Sequence, residues 1–552
     1  MRRLLVILAA GCLWAANRPD LSGEWRLVPS RSRFVKEPKS KIIHIHHREP
    51  ALTLTTTEDG VTTFHSTDGV ERVNEVAGSL LRSIARWDES ALELRTSGKS
   101  GAGEIVLLDR YQLSSGGENL IQQRRVEGSQ EEEFVYERVP LKAGVARVEI
   151  TPPSFLPMYG YANRKCGPAN GYHDPLFAKA LVLESASTRM AIVTLDLGSM
   201  VSERIRREAA EKLNIPFLLL ASSHTHSAPF FLPPAATPTS MLGQPAEGAA
   251  AYLEGLEQKV LDALSRASQS MFPARLSVAK GSAHLGYNRL VRRENGRARA
   301  VFDNLERVPY GPVDPEFDLL EVSDAAGTPR ALLVHYAVHA VVLGPTNCKY
   351  SADFPGVMQA SIESAAGGVQ AMFVQGGAGD INPLFLGRSG KEEEDFAQVQ
   401  RMGELLAGAV IKARAERREV TGASQPIRAK GEVLRFGDRW EKGRNHEVGI
   451  TTVLIGREIA IAATPGEPLH TLQRTWKERA DVSFPLFYGY TYSSGGQWTG
   501  YIPDLRSAAY GGYGADSTVT RVEVGAGEAI LQRHLINLFE LRGFWRTSPG
   551  LP

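Results

Sequence analysis

Two histidines stand one residue apart in "FLLLASSHTHSAPFF", where a short apolar run ends at His224, Thr225 and His226. Neutral imidazole suits zinc, and residues i and i+2 of an extended strand face the same side. The two rings could share one ion, or His224 could bind it while His226 hydrogen-bonds a substrate. Three further apolar runs end in the same manner. "LLVHYAVHAVVLGPTN" delivers His339 before a Gly/Pro/Asn loop, "MFVQGGAGDINP" runs into a glycine-rich turn at Asp380, and "AIAATPGEPLH" reaches Glu467 after Pro-Gly. Strand ends are where α/β sheets bind ligands. Four strands that each deliver a polar group at a turn therefore read as one assembled site.

The elements that must position these residues follow from hydrophobic periodicity. From about Gly144 onward, strand-like runs such as "ALVLES", "MAIVTLDLGSM" and "VLIGREIAIAAT" alternate with segments of helical period. Those segments are "SERIRREAAEKL", "AAAYLEGLEQKVLDALSRA", "FAQVQRMGELLAGAVIKARAE" and "EAILQRHLINLFELRGF". This predicts an α/β catalytic domain with mixed sheets and flanking helices over residues 144–545, with the charged stretch near 388–396 a solvated loop. Residues 20–140 carry short alternating runs separated by "EDG", "TDG" and "SSGG", which predicts a small all-β domain. Its opening, "DLSGEWRLVPSRSRF", resembles that of lipocalin-like domains. His44, His46 and His47 within it read as solvated surface.

A chain of 552 residues exceeds one ordinary core, in keeping with two domains. Lys plus Arg total 63 and Asp plus Glu 62, a balance that argues against a nucleic-acid partner. The first 16 residues have two arginines, a short apolar run and small residues, the pattern of a signal peptide cleaved near Ala15 or Ala16. The expected location is therefore periplasmic or secreted, with lipidation of Cys12 in "LAAGC" an open alternative. After such cleavage Cys166 and Cys348 remain, too few for a cysteine-only metal site. One disulfide and two buried thiols are both open readings.

Taken in order, the segments resemble the neutral, non-lysosomal ceramidase family. The series is "LPMYGYANR", "SHTHSAP", "GYNR", "VHAVVLGPTN", "SADFPG", "GAGDINP", Pro-Gly-Glu and "GYIPDLRSAAYGGYGAD". The resemblance spans about residues 144–545 and implies a zinc amidase domain. It implies a metal held by His224, His339, Glu467 and Tyr501, a set of two neutral imidazoles, a carboxylate and a phenol that leaves a position for water or substrate. His226 and Arg289 of "GYNR" would contact the substrate and hold the developing oxyanion. Asp353 and Asp380 read as structural support for their turns. Gly376 occupies a substrate-contacting position where the family has a serine, so any nucleophile must be zinc-activated water. The chain is also expected to lack the C-terminal β-sandwich of the family.

The function expected is an exported zinc-dependent hydrolase cleaving a linear N-acyl amide, with Zn2+ as cofactor. Its partner would be a small-molecule or lipid amide, with membrane-surface association for a lipid. The alternatives are a zinc-dependent esterase or other carbon-nitrogen hydrolase on a non-ceramide substrate, and an exported binding protein without catalysis. Amidohydrolase barrels share His-x-His but need later Lys, His, His and Asp ligands, where this chain offers His339, Glu467 and Tyr501.

Overall fold

A computed structural model describes residues 18–56, 58–100, 103–186, 188–233, 245–420 and 425–544. The proposed signal peptide and Cys12 lie outside the described residues. The chain forms two compact units, the first taking in the described residues up to Leu141 with two short stretches near 185 and 425. The second unit holds the remaining described residues and all the candidate site residues.

The first unit is an antiparallel ten-stranded sheet running from Gly23–Leu27 to Glu132–Arg138 in sequence. Alternation of side chains places Trp25, Ile43, Ile45, Leu92, Leu94, Tyr111, Leu120 and Phe134 in one packed core. The histidine-rich strand Ile42–Arg48 departs from the surface reading. His47 is buried and lies 3.1 Å from Glu49 Oε1, and His44 meets the buried Glu24 at 2.9 Å. Strand pairing brings His44 onto Glu24, twenty residues earlier, while Glu49 is local to His47.

The second unit is richer in sheet than alternating strands and helices suggest. Its main sheet is largely antiparallel, as in the run from Glu316–Asp324 through Phe272–Ser282 and Lys142–Glu149 to Phe177–Glu184. Three crossover connections nevertheless put a helix between parallel strands. They are Arg189–Leu195, helix Glu203–Leu213 and Phe217–Ser222; Pro329–Tyr336, helix Asp353–Ala365 and Gln370–Gln375; and Ile459–Ala463, helix His470–Arg479 and Phe484–Tyr488. The third belongs to a separate four-stranded sheet. Parallel strands finish on the same sheet edge. Each crossover therefore delivers two loops side by side.

Local sequence explains the main elements. Arg189–Leu195 and Phe217–Ser222 are almost wholly buried, as their unbroken apolar runs require of strands covered on both faces. Ser202 caps helix Glu203–Leu213 by accepting from Ile205 N at 3.0 Å, and Ile205 and Ala209 turn inward. The acidic stretch read as a loop is helical instead. Glu392–Ala415 begins with Glu392, Glu393, Glu394 and Asp395, four carboxylates in the first turn, where the helix dipole favours them. Three shorter helices, Asp353–Ala365, His470–Arg479 and Leu505–Tyr510, were not among the segments read as periodic.

Cys166 and Cys348 form a disulfide, with Cα atoms 6.1 Å apart across 182 residues. It ties the loop after Met158 to the loop after His339, and the parallel pair Gly171–Tyr172 with Lys349–Tyr350 continues the tie. Closing so long a loop removes about 5 kcal/mol of unfolded-chain entropy in the chain-entropy model, with about 2–4 usual in practice. Cys348→Ser should lower the thermal midpoint by several degrees, read by calorimetry, and a non-reducing digest should contain one linked Cys166–Cys348 peptide. Free thiols at both positions, or an unchanged midpoint, would show that the bridge does not form.

Candidate metal centre

The three crossovers converge on one point. His224 follows Phe217–Ser222 by two residues, His339 follows Pro329–Tyr336 by three, and Glu467 follows Ile459–Ala463 by four. Glu467 Oε2 lies 3.4 Å from His224 Nε2 and 3.2 Å from His339 Nε2. All three side chains are buried. His226 Nε2 stands 3.2 Å from His224 Nε2, and ring nitrogens of His224, His226 and His339 lie within 4.8 Å of one another.

The strand does not continue through His-Thr-His. It stops at Ser222, and His224 adopts φ +64°, a left-handed conformation that costs a non-glycine residue about 1 kcal/mol or more. The turn is held by His224 N donating to Leu197 O at 2.9 Å and Thr225 Oγ1 donating to Ser351 O at 2.9 Å. Arg164 Nη2 donates to His226 O at 2.6 Å. The two rings thus meet through a bend, with centroids 4.9 Å apart, rather than through a shared strand face. The buried Gln375 links the neighbouring loops. Its amide donates to Ser223 O at 3.1 Å and Val338 O at 2.9 Å, and accepts from Val338 N at 3.2 Å.

Backbone carbonyls fix the tautomers. His224 Nδ1 is 2.6 Å from Gly198 O and His339 Nδ1 is 2.6 Å from Ala378 O. A carbonyl only accepts, so each Nδ1 carries the proton and each Nε2 presents a lone pair to the centre. Burial pushes His339 down to about 4, which keeps its ring neutral near pH 7. Burial alone would raise Glu467, whereas positive charge at this centre, on protonated rings of His224 and His339 or on an ion in their place, lowers its carboxyl well below the usual range. Two lone pairs and a carboxylate oxygen at 3.2–3.4 Å repel one another unless a cation lies among them. The donor set therefore fits a divalent ion of the zinc type.

Tyr501 lies beside Glu467 on a fourth element. Residues Glu467–Pro468 and Tyr501–Ile502 pair in parallel, with Glu467 and Tyr501 in register. Arg289 Nη2 donates to the Tyr501 hydroxyl at 3.0 Å and to Gly379 O at 2.6 Å, and Nη1 donates to Asn382 Oδ1 at 3.1 Å. The rings of Phe302, Tyr501 and Tyr513 surround the guanidinium at 5.4–5.5 Å. Arg289 Nε, His226 Nδ1 and the Tyr490 hydroxyl are buried with no hydrogen-bond partner among the described residues. These orphaned groups sit around the centre, since the Tyr490 ring lies 4.5 Å from His224. Gly160 matters here because an added Cβ would sit 2.1 Å from the His226 ring, and its φ is +95°.

Gly376 is turned elsewhere. A Cβ there would lie 2.3 Å from Gln473 Oε1 and 2.8 Å from His335 Nε2, atoms of the packed interior. Gln473 Oε1 already accepts from Gly377 N at 2.8 Å, so its amide fills the space a side chain would use. Asp380 accepts from His470 N at 2.9 Å and from His470 Nδ1 at 2.7 Å, and Asp353 accepts from Leu343 N at 3.1 Å and Phe354 N at 2.7 Å. Both bind backbone of their own turns. Tyr159, Tyr490, Trp498 and Tyr513 were missed by sequence reasoning. Tyr159 and Tyr513 lie within the quoted segments "LPMYGYANR" and "GYIPDLRSAAYGGYGAD", whereas Tyr490 and Trp498, whose rings lie 4.5 and 6.1 Å from His224, fall in none.

Comparison with known proteins adds to this geometry. The model of the neutral/alkaline non-lysosomal ceramidase N-terminal domain matches residues 141–419. Glu467 and Tyr501 lie beyond that stretch. Neutral ceramidase of Drosophila melanogaster is 25% identical over 335 residues, 51% of this chain and 46% of that protein. Neutral ceramidase of Drosophila pseudoobscura pseudoobscura is 26% identical over 271 residues, 45% of this chain and 36% of that protein. The matched region thus spans less than half the length of either relative. Among solved structures, neutral ceramidase from Pseudomonas aeruginosa superposes with a TM-score of 0.60 at 18% identity, covering 75% of this chain and 77% of that one. A ceramidase complexed with C2 gives a TM-score of 0.60 at 17% identity over the same shares.

The purified protein should carry about one zinc per chain by elemental mass spectrometry, and His339→Ala or Glu467→Ala should lose it. Because His339 is neutral above about pH 4 and Glu467 is ionised there, metal should stay bound from pH 8 to about pH 5. It should be released as protons compete near pH 4. Substoichiometric metal in both wild type and variants would remove the centre from the account.

Proposed function

Since the chain belongs to the neutral/alkaline non-lysosomal ceramidase family, we propose that it is a zinc-dependent hydrolase of N-acyl amides. The carrying observation is the convergence of His224 Nε2, His339 Nε2 and Glu467 Oε2, three acceptors whose mutual distances call for a cation. His224, His339, Glu467 and Tyr501 would hold the ion, which when bound supplies Lewis acidity and a nucleophile from water near neutral pH.

The chain's own residues would do the rest. His226 Nε2 faces the His224 lone pair at 3.2 Å, so in this geometry it is the donor of the pair. Once His224 Nε2 is engaged, that proton is free for a substrate carbonyl oxygen or the departing amine. Arg289 Nε has no partner among the described residues and can donate to the oxyanion, while Nη2 orients the Tyr501 phenol. Tyr159 and Tyr161 pack their edges on His226 with centroids 5.7 and 4.9 Å away and fix its plane. Position 376 supplies no nucleophile, having neither a hydroxyl nor space for one.

The same position favours a second reading of the substrate. Gln473 occupies the volume that a serine side chain would need, so the interior at Gly376 is packed for glycine. That supports an acyl amide other than ceramide, or an ester, acted on by the same centre. We further propose export to an oxidising compartment, supported by the N-terminal sequence and by the Cys166–Cys348 bridge.

Assayed on N-acyl sphingosines, N-acyl amino acids and acyl esters, the wild type should turn over at least one acyl amide. Glu467→Ala should cost at least about 10³ in kcat/KM, and Arg289→Lys about 10²–10³, the size of a lost oxyanion donor. Gly376→Ser should lower the thermal midpoint without adding ceramide turnover. A zinc-loaded protein silent on the whole panel would favour a binding role, and full activity in Glu467→Ala would end the hydrolase reading.

A further inference from the structure

A second concavity in this unit is independent of the metal centre. It has a volume of about 370 Å³, at the small end of ligand pockets. Its floor is formed by the buried Asn288, Asp380 and His470, and its wall by Leu290, Tyr310 and Pro312. Arg292, Arg474 and Arg506 line it as exposed residues at the mouth. Asn288 turns its side chain into this pocket, while the next residue, Arg289, reaches Tyr501 in the candidate centre.

The charges in the pocket are unequal. Asp380 is covered by His470 Nδ1 at 2.7 Å and by Asn288 Nδ2 at 2.8 Å. Asp504 caps helix Leu505–Tyr510, accepting from Arg506 N and Ser507 N at 3.0 Å and from Ser507 Oγ at 2.6 Å. Of the three guanidiniums, only Arg474 has a carboxylate nearby among the described residues, Glu478 at 3.6 Å. Arg292 and Arg506 are held in place by one ring. Their Cζ atoms lie 3.9 and 5.5 Å from the Tyr510 centroid, and Arg506 Nε is 3.3 Å from the Tyr510 hydroxyl. A stacked guanidinium keeps its N–H fork free for an oxyanion.

We propose that this pocket binds a small organic phosphate monoester through Arg292, Arg474 and Arg506. With Arg474 offset by Glu478, Asp380 covered by His470 and Asp504 engaged as a helix cap, two guanidinium forks, Arg292 and Arg506, stand without a carboxylate partner among the described residues. A phosphate monoester brings three acceptor oxygens and about −1.5 to −2 charge at pH 7, enough for both forks, whereas a carboxylate brings two oxygens and one charge. Burial would lower His470, but Asp380 beside it raises its ring above the ordinary value. Helix His470–Arg479 also begins on the floor and adds its positive end. The polar floor would meet the hydroxyls of the alcohol part, and Tyr310 and Leu290 its carbon skeleton.

Calorimetric titration of the full chain with ribose 5-phosphate, inorganic phosphate and gluconate tests this. Ribose 5-phosphate should bind one per chain, at least tenfold more tightly than gluconate, with inorganic phosphate weaker and displaced by it. The exposed double substitution R292A/R506A, checked for unchanged circular dichroism, should weaken ribose 5-phosphate at least tenfold. Glu467→Ala should leave binding unaltered, which separates this pocket from the metal centre. Absence of binding, equal affinity for gluconate, indifference to R292A/R506A, or loss in Glu467→Ala would each overturn the proposal.

Discussion

Two imidazole lone pairs and a carboxylate oxygen face one another inside a buried space, and much of the second unit exists to hold them there. Gly198 O and Ala378 O take the Nδ1 protons, so neither ring can relieve the crowding by turning a proton inward. Burial opposes the imidazolium form of His339 that would otherwise supply one. A divalent ion would resolve the repulsion, and metal binding and stability would then be linked in this region.

Three strand–helix–strand crossovers bring these groups together from places hundreds of residues apart. Each contributes two adjacent loops: Gly198 with His224, His339 with Ala378, and Glu467 with Tyr490. In the first two crossovers each histidine and the carbonyl that orients it thus come from paired strands. Gln375 joins the first two crossovers through Ser223 and Val338. The left-handed turn at His224 is the local conformational cost of aiming its ring, sustained by hydrogen bonds on both sides of it.

Much of this was legible because apolar runs ending in polar residues are a one-dimensional trace of strand ends. His224, His339 and Glu467 were readable in that way, and the order of the motifs brought in Tyr501 and Arg289. What sequence could not convey was geometry without side-chain signal. The orienting carbonyls of Gly198 and Ala378 belong to the backbone. The bend at His224 looks like a continuing strand, and the filling of position 376 by Gln473 depends on a residue 97 positions away. Antiparallel pairing of much of the main sheet was hidden for a related reason, since buried strands of either orientation read as the same apolar run. The first turn of Glu392–Ala415 was missed because its four carboxylates stabilise a helix through its dipole, not through an apolar face.

The central claim concerns a position in space, and anomalous diffraction at the zinc edge from crystals of the protein as isolated tests it most directly. A single strong peak about 2.0–2.2 Å from His224 Nε2, His339 Nε2, a Glu467 carboxylate oxygen and the Tyr501 oxygen is the expected result. A peak bound by other residues, or none between these side chains while they keep their 3.2–3.4 Å separations, would contradict it.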